Sequence, residues 1–218
     1  MGCRSGRTMR ASLRASVRAS IPARSRRSQP GELVQMDCFF IGRLSESKGS
    51  VWQYTAIDVA SGYTWAELHT SEPNPRSRHC QALLHRLGEG TARARRARGG
   101  GRSDAGWKLA TVTSDNGSEF VSQDFATAVR AAGAHQRRVK AGRPTSNGCV
   151  ERVQLTILER CWRPSFARSL VPKVTALRRD LDEYLTYHNT DRAHTGRHTQ
   201  GRVPAEIVYG APKMRAAR

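Results

Sequence analysis

The order of apolar and polar positions along the chain predicts three strands, followed by helices and strands that alternate. Residues 32–41 are almost continuously apolar, which is typical of a strand that is buried on both faces. Residues 51–59 and 63–69 are two further runs rich in β-branched and aromatic residues, on either side of a turn at residues 60–62. We expect these three strands to form an antiparallel meander.

Alternation along the first strand assigns its residues to two faces. Asp37 shares its face with Leu33, Phe39 and Ile41. The opposite face is predicted to be buried through Val34, Met36, Cys38 and Phe40. A carboxylate inside such a strand is unfavourable unless it is paired or bound to a metal ion. Asp37 therefore indicates either a metal site or an arginine partner.

The remainder of the chain alternates between helical and strand periods. The predicted elements are, in order, a helix at residues 76–87 that extends to about residue 98, a flexible loop up to residue 106, a strand at 109–113, a helix that Ser122 caps and Gly133 ends, a basic strand at 134–140, a helix at 147–162, and a long helix that Pro172 opens. This pattern predicts an α/β domain, and the length of 218 residues suits one such domain with tails.

The strongly positive charge of the chain indicates a polyanionic partner. The formal net charge is +19 and the isoelectric point is about 11.1. A merely soluble basic protein is the plainer explanation, but a field of this size on so short a chain favours nucleic acid. Residues 1–30 contain eight Arg and no acidic residue, so we interpret them as a disordered basic arm. We divide the rest into a core domain at 31–165 and a helical C-terminal extension and tail at 166–218.

The cysteines indicate a reducing compartment. Their number, five, is odd and no two of them form a Cys-x-x-Cys pair, which argues against a disulfide framework and against a zinc knuckle. No apolar run approaches the length of a membrane span, and the N-terminus lacks the apolar segment of a secretory signal. We expect a cytoplasmic protein with no membrane partner.

Two motifs carry the candidate chemistry. The first is Ser114-Asp115-Asn116-Gly117-Ser118-Glu119-Phe120, and the second is Pro144-Thr145-Ser146-Asn147-Gly148-Cys149-Val150-Glu151-Arg152. Between Asp115 and Glu151 lie 35 residues, which is room for a helix, a strand and a loop. The tail contains Tyr187-His188-Asn189-Thr190-Asp191-Arg192-Ala193-His194, followed by Val203-Pro204-Ala205-Glu206. In this order, the motifs and the Asp37 strand resemble the Asp-Asp-Glu catalytic core of retroviral integrases and of insertion-sequence transposases with an integrase-type core.

The resemblance implies a fold and a set of site residues. The element order β-β-β-α-β-α-β-α is that of the ribonuclease H-like fold, with a mixed five-stranded sheet flanked by helices. The implied catalytic and metal-binding residues are Asp37, Asp115 and Glu151, which would hold Mg²⁺, or Mn²⁺ in its place. By analogy with the family, Asp37 bridges two ions and the other two carboxylates take one ion each. Asn116 and Glu119 are expected to support the site, and the expected DNA contacts are Arg137, Arg138, Lys140, Arg143, Asn147 and Arg152.

Each of these residues also has a plainer explanation. Asp115 starts an ordinary Asp-Asn-Gly turn, and Glu151 alone would be a solvent-facing helix residue. Asp58 competes with Asp37, because it too ends an apolar run, but it precedes a turn where aspartate is common. Basic runs are usually solvated surfaces. We assign no metal to His135, His188 or His194.

The function implied by the resemblance is metal-dependent DNA strand cleavage and strand transfer by a transposase or integrase core. The implied partners are transposon ends and target DNA, bound by a homo-oligomer in the bacterial cytosol or nucleoid. One alternative is a ribonuclease H-like nuclease that cuts without joining. The other is a non-catalytic DNA-binding remnant. No helix-turn-helix module precedes the core, so we expect a chain that is truncated at its N-terminus or translated from an altered upstream frame.

Overall fold

A mixed five-stranded sheet forms the centre of the molecule. The structure, a computed structural model, describes residues 29–44, 47, 49–71, 73–97, 108–139, 147–169, 171–196 and 198–209, with the backbone alone at 90–97. The strands are β1 (Leu33–Arg43), β2 (Ser50–Asp58), β3 (Thr64–Ser71), β4 (Thr111–Ser114) and β5 (His135–Arg138), in the sheet order β3-β2-β1-β4-β5. The first three strands are antiparallel neighbours, whereas β1–β4 and β4–β5 are parallel pairs. The predicted meander and the predicted sheet are confirmed.

Helices cover both faces of this sheet. They are α1 (Ser77–Ala97), α2 (Ser118–Val121), α3 (Gln123–Ala131), α4 (Gly148–Ile157), α5 (Arg163–Arg168), α6 (Val174–Thr190) and α7 (Pro204–Tyr209), and a π-helical turn, Leu158–Trp162, joins α4 to α5. The predicted extension of α1 is confirmed to Ala97, and the Ser122 hydroxyl accepts the Phe125 N–H at the start of α3 as expected. The short helix α7 was not predicted.

Two apolar clusters lie on opposite faces of the sheet. One contains Val34 and Met36 of β1 with residues of α1, α3 and α7, and the other joins β2 and β3 to α4 and α6. The prediction that Phe40 is buried is wrong, since its side chain is 49% exposed. The first cluster ends at Cys38 and Trp52, so Phe40 lies beyond the covering helices and only meets the Trp52 ring edge-on, with centroids 5.2 Å apart.

Helix α6 belongs to the same core as the sheet. Its inward residues, Leu177, Leu181, Tyr184 and Leu185, pack in the second cluster against β2, β3 and α4. The segment that we assign to a C-terminal extension therefore shares a hydrophobic core with residues 31–165. The boundary at residue 165 falls inside α5.

The tail motif satisfies backbone hydrogen bonds at an edge strand of the sheet. The Asn189 side chain accepts the Thr64 N–H at 2.9 Å and donates to the Thr64 carbonyl at 2.8 Å, replacing a neighbouring strand at the open side of β3. His188 is buried beside it, and burial, followed by the charges of His194 and Arg192, lowers the His188 pKa to about 3. His188 is therefore neutral at pH 7 and structural.

The described cysteines, Cys38, Cys80, Cys149 and Cys161, are free thiols. Cys3 lies outside the described residues.

None of the helices in the described part of the chain combines the length and the apolar character that crossing a membrane requires.

We predict that Asn189→Ala destabilises the protein by about 2–3 kcal/mol, because it leaves a buried N–H and a buried carbonyl of Thr64 without partners. Urea unfolding followed by circular dichroism measures this loss. Thr186→Ala is the matched control on the exposed face of α6 and should change stability by less than about 0.5 kcal/mol. An equal loss of stability in both variants would show that the bonds of Asn189 to Thr64 do not stabilise the edge strand.

Candidate active site

Asp37 and Asp115 lie at the same level, where two parallel strands separate. The ladder between β1 and β4 ends with the pair Gln35 and Thr113. Asp37 follows Gln35 by two positions and lies on the same face of β1, and Asp115 follows Thr113 by two positions, just beyond the end of β4. The Gly117 N–H donates to Asp115 Oδ1 at 3.0 Å and holds the exposed carboxylate in the turn.

Glu151 lies in the first turn of α4, and its charge acts on Asp37. The Gln35 side-chain oxygen accepts the N–H groups of Cys149 at 2.9 Å and Val150 at 3.1 Å, which attaches the helix start to β1. The Asn147 amide donates in the other direction, to the Met36 carbonyl at 3.4 Å. Glu151 itself is exposed. The helix start is thus attached to the segment of β1 that ends in Asp37.

The charges of the other acidic side chains act on Asp37. Burial raises the Asp37 pKa, the charges of Asp115, Glu151 and Glu119 raise it further, and the resulting value is about 7. The Cys38 N–H, which donates to Asp37 Oδ1 at 2.8 Å, opposes this shift. Asp37 is therefore only partly ionised at pH 7 when no cation is bound.

Asp58 has a different, local environment. Its carboxylate accepts the N–H of Gly31 at 2.8 Å, the N–H of Ser61 at 2.7 Å and the Ser61 hydroxyl. These bonds oppose the increase in pKa that burial causes, and the Asp58 pKa is about 6. Asp58 closes the β2–β3 turn, and the structure places Asp37, not Asp58, beside Asp115 and Glu151.

Glu119 is more central than its sequence context indicated. Its side chain is only 7% exposed, and burial followed by the charge of Asp115 raises its pKa, against hydrogen bonds from its own N–H, the Cys38 thiol and Ser118. A Cβ at Gly117 would lie 2.7–2.8 Å from the Glu119 carboxyl atoms, so a larger residue at position 117 would displace the Glu119 carboxylate from its present position. The Gly-x-Glu spacing in the sequence is the signal that places these two residues together.

The residues fit a hard divalent cation. Within the described ranges, no basic side chain forms an ion pair with Asp37, Asp115 or Glu151, so the structure does not support the arginine alternative there. Two buried oxygens beside the cluster, Thr113 Oγ1 and Asn147 Oδ1, lack hydrogen-bond partners. Carboxylate and amide oxygens are ligands that Mg²⁺ prefers. No set of three or more acidic, His or Cys side chains in the described part is already gathered into a metal cage.

The predicted DNA contacts fall into three groups. Arg137 and Arg138 are exposed on β5, and Arg152 is exposed beside Glu151. Asn147 is 4% exposed and contacts β1, which favours a structural role over contact with DNA. Lys140 and Arg143 lie outside the described residues.

Asn116 links the two strand ends at the site. Its amide donates to the Val139 carbonyl at 2.9 Å, immediately after β5. The bond holds the Asp115 turn against the strand that carries the exposed arginines, which fits the supporting role predicted for Asn116.

Comparisons with solved structures show the same fold. A chain in the structure of the simian T-cell lymphotropic virus intasome in complex with PP2A regulatory subunit B56 gamma has a TM-score of 0.62 and 18% identity over 87% of this chain and 58% of that chain. The HTLV-2 integrase catalytic core domain in complex with magnesium has a TM-score of 0.58 and 15% identity over 83% and 97% of the two chains. The BIV integrase catalytic core domain has a TM-score of 0.55 and 18% identity over 83% and 95%. The chain thus spans 58% of the first of these proteins.

Sequence comparison gives the family. No curated protein matches the chain by sequence. The family described as Integrase core domain matches residues 27–144, which is more than half of the chain and includes β1 to β5 with Asp37 and Asp115. The chain therefore belongs to the integrase core domain family and has the ribonuclease H-like fold of integrase catalytic cores.

Proposed function

We propose that the chain cleaves DNA strands and joins the resulting ends to target DNA, as the core of a transposase or integrase acting on transposon ends. The observation that carries the proposal is that the charges of Asp115 and Glu151 both act on Asp37, where the interior strands β1 and β4 separate, in a member of this family. All three carboxylates are proposed as catalytic residues and as ligands of Mg²⁺, with Mn²⁺ as the substitute ion.

Bound divalent ions would supply positive charge to the attacking and leaving oxygens of a phosphodiester and would favour deprotonation of the attacking group. The chain's own residues orient the proposed metal ligands. The Cys38 N–H and the Gly117 N–H orient the carboxylates of Asp37 and Asp115, and the attachment of α4 to β1 places Glu151. Water is the attacking group in cleavage, and a DNA 3′-hydroxyl is the attacking group in joining.

The exposed arginines are proposed to hold the substrate. Arg137, Arg138 and Arg152 flank the carboxylates and, with Lys140 and Arg143, would contact phosphates, which position DNA without selecting a sequence. The net charge of +19 supports a polyanionic partner. The HTLV-2 core is known in dimeric and trimeric forms, and this supports a homo-oligomer acting on DNA. The free thiols are consistent with the proposed location in the bacterial cytosol or nucleoid.

The decisive experiment incubates the chain with end-labelled linear DNA and Mg²⁺ or Mn²⁺ and scores cleavage and joining separately. Asp115→Asn should abolish both, exceeding the ~10–100-fold loss expected when only a residue supporting a metal ligand is removed. Asp124→Asn, which changes an exposed carboxylate on α3, should retain activity. Full activity of Asp115→Asn would overturn the catalytic assignment, cleavage without joining would indicate a nuclease, and binding without cleavage would indicate a remnant.

The raised pKa of Asp37 predicts a pH-dependent stability of the metal-free protein. The ordinary value of 3.8 applies when the chain is unfolded and about 7 applies when it is folded, so ionisation favours unfolding as the pH rises from about 4 to 7. In EDTA, Asp37→Asn should therefore be more stable than the wild type by on the order of 1–3 kcal/mol at pH 8, and the gain should shrink towards pH 5. Urea titrations at the two pH values measure it. A gain that is independent of pH would contradict the assignment.

We predict that replacing both Arg137 and Arg138 with alanine weakens binding to specific and scrambled duplexes alike. The slope of log affinity against log salt should become shallower by about 0.9 for each phosphate contact that is lost. Fluorescence anisotropy at several salt concentrations measures both quantities. Arg179→Ala is the control, because Arg179 is exposed on α6 and lies 3.9 Å from Glu183. A loss restricted to one duplex sequence would show base recognition instead.

A further inference from the structure

We propose that Gln35 is a positioning residue that sets the separation between the strand carboxylate Asp37 and the helix carboxylate Glu151. This inference rests on the proposed function, since it concerns the geometry of the proposed metal ligands. Gln35 lies two residues before Asp37 in β1 and binds the backbone of the two residues that precede Glu151 in α4.

The hydrogen bonds of Gln35 take the place of a helix cap. The first N–H groups of a helix have no partners within the helix and are usually bound by the side chain at the N-cap. Asn147 occupies the N-cap position of α4 but makes no such bond. The Gln35 oxygen instead accepts two of these N–H groups, at 2.9 and 3.1 Å, from a strand more than 110 residues away in the sequence.

Gln35 therefore joins two parts of the site that chain connectivity leaves far apart. Side chains two apart in a strand lie on the same face, about 6.6 Å from each other, so Gln35 and Asp37 both face α4. Asn147 adds a reciprocal bond to the carbonyl of Met36, which lies between them. Sliding α4 along β1 would break the bonds to Gln35 and Asn147 together, and the distance from Glu151 to Asp37 would change with them.

The far end of the same helical segment provides a matched comparison. Gln53 of β2 is fully buried, and its side-chain oxygen accepts the Trp162 indole N–H at 2.7 Å. Both glutamines therefore attach one continuous helical run to the same face of the sheet. Only Gln35 does so next to the carboxylates, so loss of Gln53 should loosen the fold without specifically changing the ion site.

The test compares Gln35→Leu, Gln35→Glu and Gln53→Leu in the full chain. Binding of Mn²⁺ is measured by calorimetry, amide hydrogen exchange is measured at Cys149 and Val150, and thermal unfolding is recorded for every variant. Gln35→Leu should weaken Mn²⁺ binding by about 10–100-fold and speed exchange at the two amides. Gln35→Glu keeps an oxygen acceptor and should keep both amides protected. Gln53→Leu should lower the unfolding temperature and leave Mn²⁺ affinity within about twofold of the wild type.

The outcomes separate this inference from the proposed function. Wild-type Mn²⁺ affinity in Gln35→Leu, or an equal loss of affinity in Gln53→Leu, would overturn the positioning role. Absence of Mn²⁺ binding by the wild type would overturn it as well. A wild type that binds Mn²⁺ and shows the expected pattern among the variants but cuts no DNA would overturn the proposed function while supporting the role of Gln35.

Discussion

The repulsion among carboxylates around Asp37 is the constraint on which the site depends. A carboxylate in the central strand loses solvation, and Asp115, Glu151 and Glu119 add like charge to its surroundings. Such an arrangement is unfavourable in the isolated protein and persists only because the surrounding fold holds it in place. Groups with strongly shifted pKa values of this kind are concentrated at functional sites.

Backbone N–H groups, rather than side-chain cations, orient these carboxylates in the described part of the chain. Cys38 donates to Asp37, and Gly117 donates to Asp115. An N–H carries a partial charge and does not neutralise the carboxylate, so the negative field remains available to a cation from solution. Arginines lie nearby on β5 and α4, where they are exposed and open to phosphate groups.

Hydrogen bonds between a side chain and a strand backbone also attach the C-terminal segment to the sheet. Among the described strands, β3 is at an edge of the sheet, and Asn189 of α6 satisfies the backbone N–H and carbonyl of Thr64 on its outer side. Arg178, also on α6, donates to the Leu68 carbonyl at 3.2 Å. Residues of the tail motif and of α6 thus contribute hydrogen bonds that stabilise the edge of the sheet.

The sequence by itself determined the order of the main elements, the antiparallel meander and the position of Asp115 at a strand end. These depend on local information: alternation in strands, helical spacing, the Ser122 cap and the Asn-Gly turn. The proximity of Asp37 to Glu151 came from resemblance alone, since no local pattern predicts a contact between residues so far apart. Phe40 was assigned incorrectly because alternation describes direction but not the extent of the covering helices.

Only the tertiary structure decided how the carboxylates are held. The bonds of Gln35 to α4 and of Asn189 to β3 join residues 114 to 125 positions apart, and such contacts produce no periodic signal along the chain. Burial of Glu119 likewise depends on how the four-residue helix α2 packs beside α1 and α3. Local sequence thus specified which residues could carry the chemistry, while the packing of the helices decided how much solvent and charge surrounds each carboxylate, because solvation and repulsion depend on three-dimensional distance.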